Sequence, residues 1–501
     1  MTRVEIHGHF SLMPGVRLIG DAKGGVILRD DPLRAIRING SAFEILEKCR
    51  QGFSFQDWNG SLSGSARTSM VKLLDRLCET GLMEWTPPED PYEPSVSLIV
   101  AVYNRAGEIG ACLDSLLSLE YPRSGLEIIV VDDGSRDGTC DVVSAYDVKL
   151  IVHPENRGQS AARNRGAKDA RGDIIAFVDS DCIATPEWLR DLVPYFRDER
   201  NVLVGGYVAS FYTESLLDRY EEVQSPLNMG EETVVGAGVE SDFYVPTCNM
   251  LVRRDTYLEV GGLNEDMRVG EDVDLCWRLK EHGHRLVYVP KGVVRHKHRN
   301  RLLEGFTRRF QYGESEPELY LAHRSIAKHY PWQPLCMVVL GLCIAALVTR
   351  EVLFLPAIAV MLIAEVFLRK DRYERLMNVT LTARQVLRAV AEKHVLLTDH
   401  LCRHVVRYYL PVLGALAIII PQAVPVVIGV ILLPSAAQYF RKKPRLNFGT
   451  FLLFFLAEQA FYQTGVLWAC LRLRSFRPYR LVFTGVRGRP RSGMVCKTAR
   501  I

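Results

Sequence analysis

Asp173-Ile174-Ile175-Ala176-Phe177-Val178-Asp179-Ser180-Asp181 decides the fold. Its apolar centre, rich in β-branched and aromatic residues, predicts an interior strand of a parallel sheet. In open α/β sheets ligands bind beyond the carboxyl ends of the strands, where Asp179 and Asp181 fall. Alternation would send these two carboxylates to one side and Ser180 to the other. Two hard oxygen ligands at a strand tip suit Mg²⁺ or Mn²⁺, with substrate phosphates completing the shell. Taken alone, Asp-Ser-Asp more often opens a turn that caps the next helix, so its neighbours have to decide.

Val96-Ser97-Leu98-Ile99-Val100-Ala101-Val102-Tyr103-Asn104 is a second apolar strand, and Ile109, Cys112, Leu113, Leu116 and Leu117 follow at helical spacing. Glu127-Ile128-Ile129-Val130-Val131 then runs into Asp132-Asp133-Gly134-Ser135. Strand, helix and strand in succession predict a βαβ unit and a parallel sheet, to which Lys149-Leu150-Ile151-Val152 adds a third strand. The stretch from Asn156 to Gly166 opens a helix whose small residues allow close packing, with Arg157 and Arg163 able to face phosphate. Gly-x-Gly-x-x-Gly and the Walker loop are both absent, which disfavours a dinucleotide oxidoreductase or a P-loop ATPase.

In order, the chain carries Val102-Tyr103-Asn104, Val131-Asp132-Asp133-Gly134-Ser135, Gly158-x-x-x-Ala162-Arg163-Asn164 and Asp179-Ser180-Asp181. Gly261-Gly262-Leu263-Asn264-Glu265 and Gly270-Glu271-Asp272-Val273-Asp274-Leu275 come later. This series resembles the family-2 glycosyltransferases over residues 95–300. The resemblance implies an α/β fold of the GT-A type that binds a nucleotide sugar. Tyr103 and Asp133 would lie against the uracil of a UDP-sugar, and Asp179 near the ribose or donor sugar. Asn104, Gly158, Arg163 and Asn164 would complete the substrate-binding set. Asp181 would ligate the Mg²⁺ or Mn²⁺ that neutralises the diphosphate leaving group. A histidine after the last strand, Leu286-Val287-Tyr288-Val289-Pro290, would complete the metal shell. His296 is the candidate, whereas His298 reads equally as part of a basic loop patch.

Displacement with inversion requires a base for the acceptor hydroxyl, and Glu271-Asp272 supplies the catalytic pair. Asp272 opens a helix with Val273, Cys276, Trp277 and Lys280 on its inner face, and a helix N-terminus favours the ionised form. Asp274, a half-turn further on, reads as structural.

The chain has 501 residues, 24% of them charged, with a net charge of +4, too small to argue for nucleic acid. Its 12 cysteines are scattered singly, which fits a reduced compartment. Residues 1–86 predict a small winged-helix-like α+β domain: a meander through Val16/Leu18, Val26/Leu28 and Ile36/Ile38, a helix capped by Ser41 with Phe43, Ile45, Leu46 and Cys49 on one face, and a last helix ending at Gly81. Ile38–Leu46 and Leu74–Leu82 resemble the peptide-binding domains of ribosomal-peptide maturation systems, similar to the pyrroloquinoline-quinone chaperone, which take a leader peptide as an added strand. The alternative is an inert extension packed on the catalytic domain. Residues 87–94 form a Pro-rich linker, 95–300 the catalytic domain and 301–334 a juxtamembrane segment.

Residues 335–475 predict membrane-associated helices and 476–501 a basic tail. Leu335–Leu368 reads as a hairpin, Leu410–Leu433 as long enough to span, Phe448–Leu471 as apolar with Glu458 and Gln459 inside it, and Leu376–Tyr409 as amphipathic along the bilayer. Arg369-Lys370, Arg441-Lys442-Lys443 and the run from Arg472 to Arg491 predict a cytoplasmic catalytic domain at the cell membrane. A peptide-system domain, a transferase domain and an apolar tail together resemble the mycofactocin-system glycosyltransferases. That resemblance implies transfer, with glucose as the favoured sugar, to a peptide-derived small-molecule acceptor, with a leader peptide or maturation protein as a further partner. The alternatives are a membrane enzyme acting on polyprenyl phosphate or cell-wall polysaccharide, and a membrane-anchored peptide recruiter with a dead transferase fold. Arg308-Arg309-Phe310-Gln311 only echoes the composition of the Gln-x-x-Arg-Trp signature of processive synthases, which is missing.

Overall fold

The computed structural model describes residues 8–21, 23–48, 53–54, 64–236, 243–299, 301–324, 326, 328–484 and 498–499. Cys49 and most of the basic tail lie outside them. The chain forms two compact units, each interrupted in sequence. One contains Pro87–Lys328 and Pro444–Arg480, the other His9–Thr86, His329–Lys443 and the residues from Leu481 on.

The first unit is built on strands β1 (Val96–Val102), β2 (Leu126–Asp132), β3 (Lys149–Val152), β4 (Ile174–Asp179), β5 (Asn201–Gly205), β6 (Val234–Gly236), β7 (Met250–Arg253) and β8 (Arg285–Tyr288). They make one sheet in the order β6-β8-β5-β7-β4-β1-β2-β3. β1 to β4 are parallel, but β7 runs against both β4 and β5, so the sheet is mixed. An apolar run reports burial and not direction, which is why the sequence pointed to a wholly parallel sheet. Helix α1 (Ile109–Leu117) and helix α2 (Thr139–Ser144) are β–β crossovers, and α3 (Gln159–Asp169) packs closely on the sheet. A Cβ on Gly166 of α3 would stand 2.7 Å from Ile99 and 3.2 Å from Val131. The core between these layers includes Ile99, Ile129, Phe177, Tyr257, Leu275 and Tyr288.

β4 ends at Asp179, and a turn carries Asp181 into the short strand Cys182–Ala184, so the two acids come together through a turn rather than by alternation. That short strand pairs with Val294–His296 in the register Cys182↔His296, which delivers His296 to the same place.

Besides the short helices Trp188–Leu192 and Arg254–Glu259, four helices shape the site: α4 (Leu216–Gln224), α5 (Glu271–Glu281), α6 (Leu302–Ala322) and α7 (Phe448–Leu473). The last two cross with their backbones in contact. A Cβ at Gly313 would collide with the Tyr462 carbonyl, and one at Gly465 with the Phe310 carbonyl. Phe306 and Phe461 stack at 5.3 Å. Glu458 accepts the Tyr220 hydroxyl at 2.7 Å, and Tyr462 donates to Glu316 at 2.8 Å. The apolar stretch Phe448–Leu471 thus packs on α6 with Gln459 and Gln463 buried, while Leu453, Leu467, Trp468 and Leu471 stay exposed.

In the second unit Val16–Asp21, Gly24–Asp30 and Leu33–Asn39 form the expected antiparallel meander. The helix after it begins two residues earlier than expected: Asn39, not Ser41, caps it, accepting the Ala42 N–H at 2.9 Å. Gly81, at φ 64°, ends the helix Gly64–Glu79 as predicted. The inner face of the meander (Val26, Leu28, Leu33, Ala35) is covered by Val366, Tyr373, Met377, Val386, Ala389 and Val390. These come from helices Phe354–Met377 and Ala383–Ile419, so the amphipathic segment around Leu376–Tyr409 spends its apolar face on the sheet. Pro334–Thr349 and Phe354–Met377 are the predicted hairpin. The stretch Leu410–Leu433 is broken at Ile420–Pro421, where proline supplies no N–H. Ala383–Ile419 and Pro421–Lys442 are each long and apolar enough to cross a membrane.

Gly465→Val should force α6 and α7 apart and cost about 1–3 kcal/mol or more, read as a lowered denaturation midpoint. Gly429→Ala, at a helical glycine with open space around it, should leave the midpoint unchanged or raised.

Candidate active site

A cleft of ≈ 940 Å³ opens at the carboxyl ends of β1, β2 and β4 and is roofed by α5 and α6. Tyr103, at the end of β1, lines it with 44% of its surface exposed, a ring free to meet a flat ligand. Asp133 lies beside it, buried, accepting from the Arg157 N–H at 3.0 Å and the Gly158 N–H at 2.7 Å, and bonded to His153 Nδ1 at 2.8 Å. His153 escaped the sequence reading, although it follows β3 directly and so lies at a strand tip like the acids. Gly158 starts α3 at φ 94°, where its amide can turn to Asp133.

Two predicted substrate residues are not on the cleft. Asn104 sits in a left-handed turn (φ 50°), its N–H donating to Ser135 and its Oδ1 accepting from the Arg136 N–H, each at 2.8 Å. Asn164 is buried: it accepts from the Tyr257 hydroxyl and the Leu263 N–H and donates to Leu263 O and Glu265, so it braces the Gly261–Glu265 turn. The short polar side chain that suits a ligand suits a turn equally well.

Asp181, His296 and Cys182 offer ligand atoms within 4.8 Å of one another. His296 Nε2 is 3.6 Å from Asp181 Oδ1, too long for a hydrogen bond, and His296 Nδ1 is buried without a partner. Oxygen and imidazole suit Mn²⁺ or Mg²⁺, whereas burial drives the Cys182 thiol well above its ordinary range and keeps it protonated. His298 lines the cleft but is not part of this cluster: it joins Ser210 at 2.9 Å to Asp218 at 3.0 Å, pinning the first turn of α4.

α5 begins at Gly270 (φ 85°) with no side-chain cap, and it places Glu271 and Asp272 differently. Glu271 is 4% exposed and accepts from Gln159 at 2.6 Å and Arg163 at 3.1 Å. The other end of the Arg163 guanidinium pairs with Asp179. Arg163, expected to face phosphate, is thus 3% exposed and committed to two carboxylates, one at the tip of β4 and one at the start of α5. Burial alone would raise Asp179, but Arg163 and then His296 hold it below the usual carboxylate value. Asp272 has one bond, from the Val273 N–H of its own helix at 2.8 Å, and faces the cleft. Burial and then the neighbouring Glu271 push its pKa up to about 7, overturning the expectation that the helix N-terminus leaves it fully ionised. Asp274 pairs with Arg278 and with His323, each at 2.8 Å, and is structural as read.

The model of the glycosyl transferase family 2 matches residues 97–260, which include the strand-tip acids but end before α5 and His296. The pre-mycofactocin glycosyltransferase of Mycobacterium tuberculosis is 33% identical over 312 residues, 62% of each chain, so less than two thirds of that relative is spanned. Glycosyltransferase AglE of Haloferax volcanii is 31% identical over 238 residues, 46% of this chain and 76% of AglE. The glucosyl-dolichyl phosphate glucuronosyltransferase of the same organism is 30% identical over 217 residues, 40% of this chain and 69% of its own.

Arg163→Met should leave the buried Glu271 and the half-buried Asp179 without their cation and cost about 3–5 kcal/mol, seen as a large drop in melting temperature. Adding Glu271→Gln should restore part of the loss, since one buried charge is then removed.

Proposed function

The chain belongs to glycosyl transferase family 2, and from that premise we propose that its cleft moves a hexose, glucose in the first instance, from a UDP-sugar to a peptide-derived small-molecule acceptor, with inversion at the anomeric carbon. One observation carries the reading: Asp181 with His296, and Asp272, belong to different elements yet open into one cleft.

Tyr103 and Asp133 take the nucleobase, and Asp179 the ribose or donor sugar. Asp181 and His296 would hold Mg²⁺ or Mn²⁺, which neutralises charge on the departing diphosphate. Asp272 takes the proton of the acceptor hydroxyl as that oxygen attacks the anomeric carbon. Glu271 has its carboxylate engaged by Arg163 and Gln159, so its part is to hold the start of α5 rather than to accept a proton.

The peptide-derived acceptor is favoured by the likeness to the pre-mycofactocin glycosyltransferase, and the meander unit would receive a leader peptide or maturation protein as an added strand. The apolar helices of the second unit would seat the enzyme at the cell membrane, with Arg369-Lys370 and Arg441-Lys442-Lys443 favouring the cytoplasmic face. A polyprenyl phosphate acceptor is the second reading, favoured by the glucosyl-dolichyl phosphate relative. Mass spectrometry of products formed with each acceptor class separates the two.

Asp272→Asn should lower turnover by about 10²–10⁴-fold while calorimetry shows unchanged donor affinity. Asp181→Ala should abolish the metal-dependent part of donor binding. Because Asp272 must be unprotonated to accept a proton, the wild-type rate should fall as pH drops through about 7, and a rate level down to pH ~5 would exclude Asp272 as the base.

A further inference from the structure

We propose that Arg308 is an anion anchor of the cleft, its guanidinium holding a phosphate oxygen of the donor diphosphate on the side of the base. The proposal rests on the nucleotide-sugar reading above and adds a residue that lies outside the family-matched region.

The other guanidinium groups of the inner cleft are committed. Arg163 bridges Asp179 and Glu271. Arg309 pairs with Glu221 at 2.8 Å and reaches Glu458 at 3.8 Å. Arg105 pairs with Glu108 and lies 3.5 Å from Asp181. Arg308 differs: among the described residues no carboxylate stands within ion-pair distance of it. Its partners are the Gln311 side-chain oxygen, 3.1 Å from Nη1, and the Tyr312 ring, 5.0 Å from the guanidinium carbon. Yet Asp179, Glu271 and Asp272 all feel its charge. It therefore stands over the acid pairs, close enough to act on them and too far to be neutralised by them.

A partly buried cation matched by one amide oxygen and by Tyr312, through its ring and its hydroxyl, and by no carboxylate, is incompletely compensated, and an arriving anion is the partner that completes it. Guanidinium meets phosphate through two parallel N–H donors, and most of those of Arg308 are unspent. Its position is also fixed beforehand. α6 cannot slide, because Gly313 is seated on the backbone of α7 and Arg309 is tied to α4. The diphosphate is the anion of choice because Arg308 lines the same cleft as Asp179, at the proposed donor end, and Asp272, at the proposed reacting end, and the bond that breaks would lie between those ends. Divalent metal at Asp181 can ligate only some of the phosphate oxygens, which leaves others for Arg308.

Calorimetry on the full-length protein with Mn²⁺, using UDP and uridine as probes, tests this. Arg308→Gln should weaken UDP by about 10–100-fold, leave uridine unchanged and melt as the parent does, with Arg308→Lys in between. UDP affinity within about twofold of the parent, or an equal loss for uridine, overturns the proposal. A parent protein that binds neither probe overturns the donor reading itself, and this proposal with it.

Discussion

One buried guanidinium between a buried and a half-buried carboxylate is the constraint on which the cleft depends. Arg163 joins the tip of β4 to the first turn of α5, elements about 90 residues apart in the chain whose acids must face one another. α5 has no side-chain cap, and its N-cap is a glycine in a left-handed conformation. Its start is therefore held from outside, by Arg163 and Gln159, both on α3. The helix that contributes no exposed charge to the chemistry is the one that sets the spacing of the charges that do the chemistry.

The same arrangement separates two adjacent acids into two roles. Glu271 has its charge met by Arg163, and Asp272 has no cation in contact. Burial and the repulsion of Glu271 then raise Asp272 to about 7. A helix N-terminus works in the opposite direction, but it acts over one turn and is outweighed here by desolvation. The result is a carboxyl about half ionised at neutral pH, suited to the proposed role of taking a hydroxyl proton.

Much of this is legible in the sequence, and the failures share a cause. The strands, the strand-tip acids and the helix opened by Glu271 all follow from local pattern. Asn104 and Asn164 match a motif whose residue types serve turns as well as ligands, and only tertiary contacts distinguish the two. Phe448–Leu473 is apolar along its length, so composition points to lipid. What marks one face as a helix–helix contact is the combination of Gln459 and Gln463 with Gly465 and Ala469, polar and small residues that a packed partner needs in water or in lipid. The segment around Leu376–Tyr409 is amphipathic as read, but a sheet and a bilayer present the same apolar surface to a helix. Direction of β7, the partner of α6 and the fate of Arg163 depend on residues far apart in the chain, and no window of sequence contains them.

Chain order has a consequence for the cleft. α6 forms its roof, and the helix that fixes α6 arrives only after the His329–Lys443 segment of the second unit has intervened. The motifs end near residue 300, yet the surface that carries Arg308 is not held until Gly465 meets Phe310 and Glu458 meets Tyr220. A catalytic domain bounded by its motifs would contain every acid and lack the clamp that holds the cation above them. The segment His329–Lys443 is therefore inserted in sequence between α6 and α7, and a chain cut where the motifs end would lose the helix that holds α6 in place.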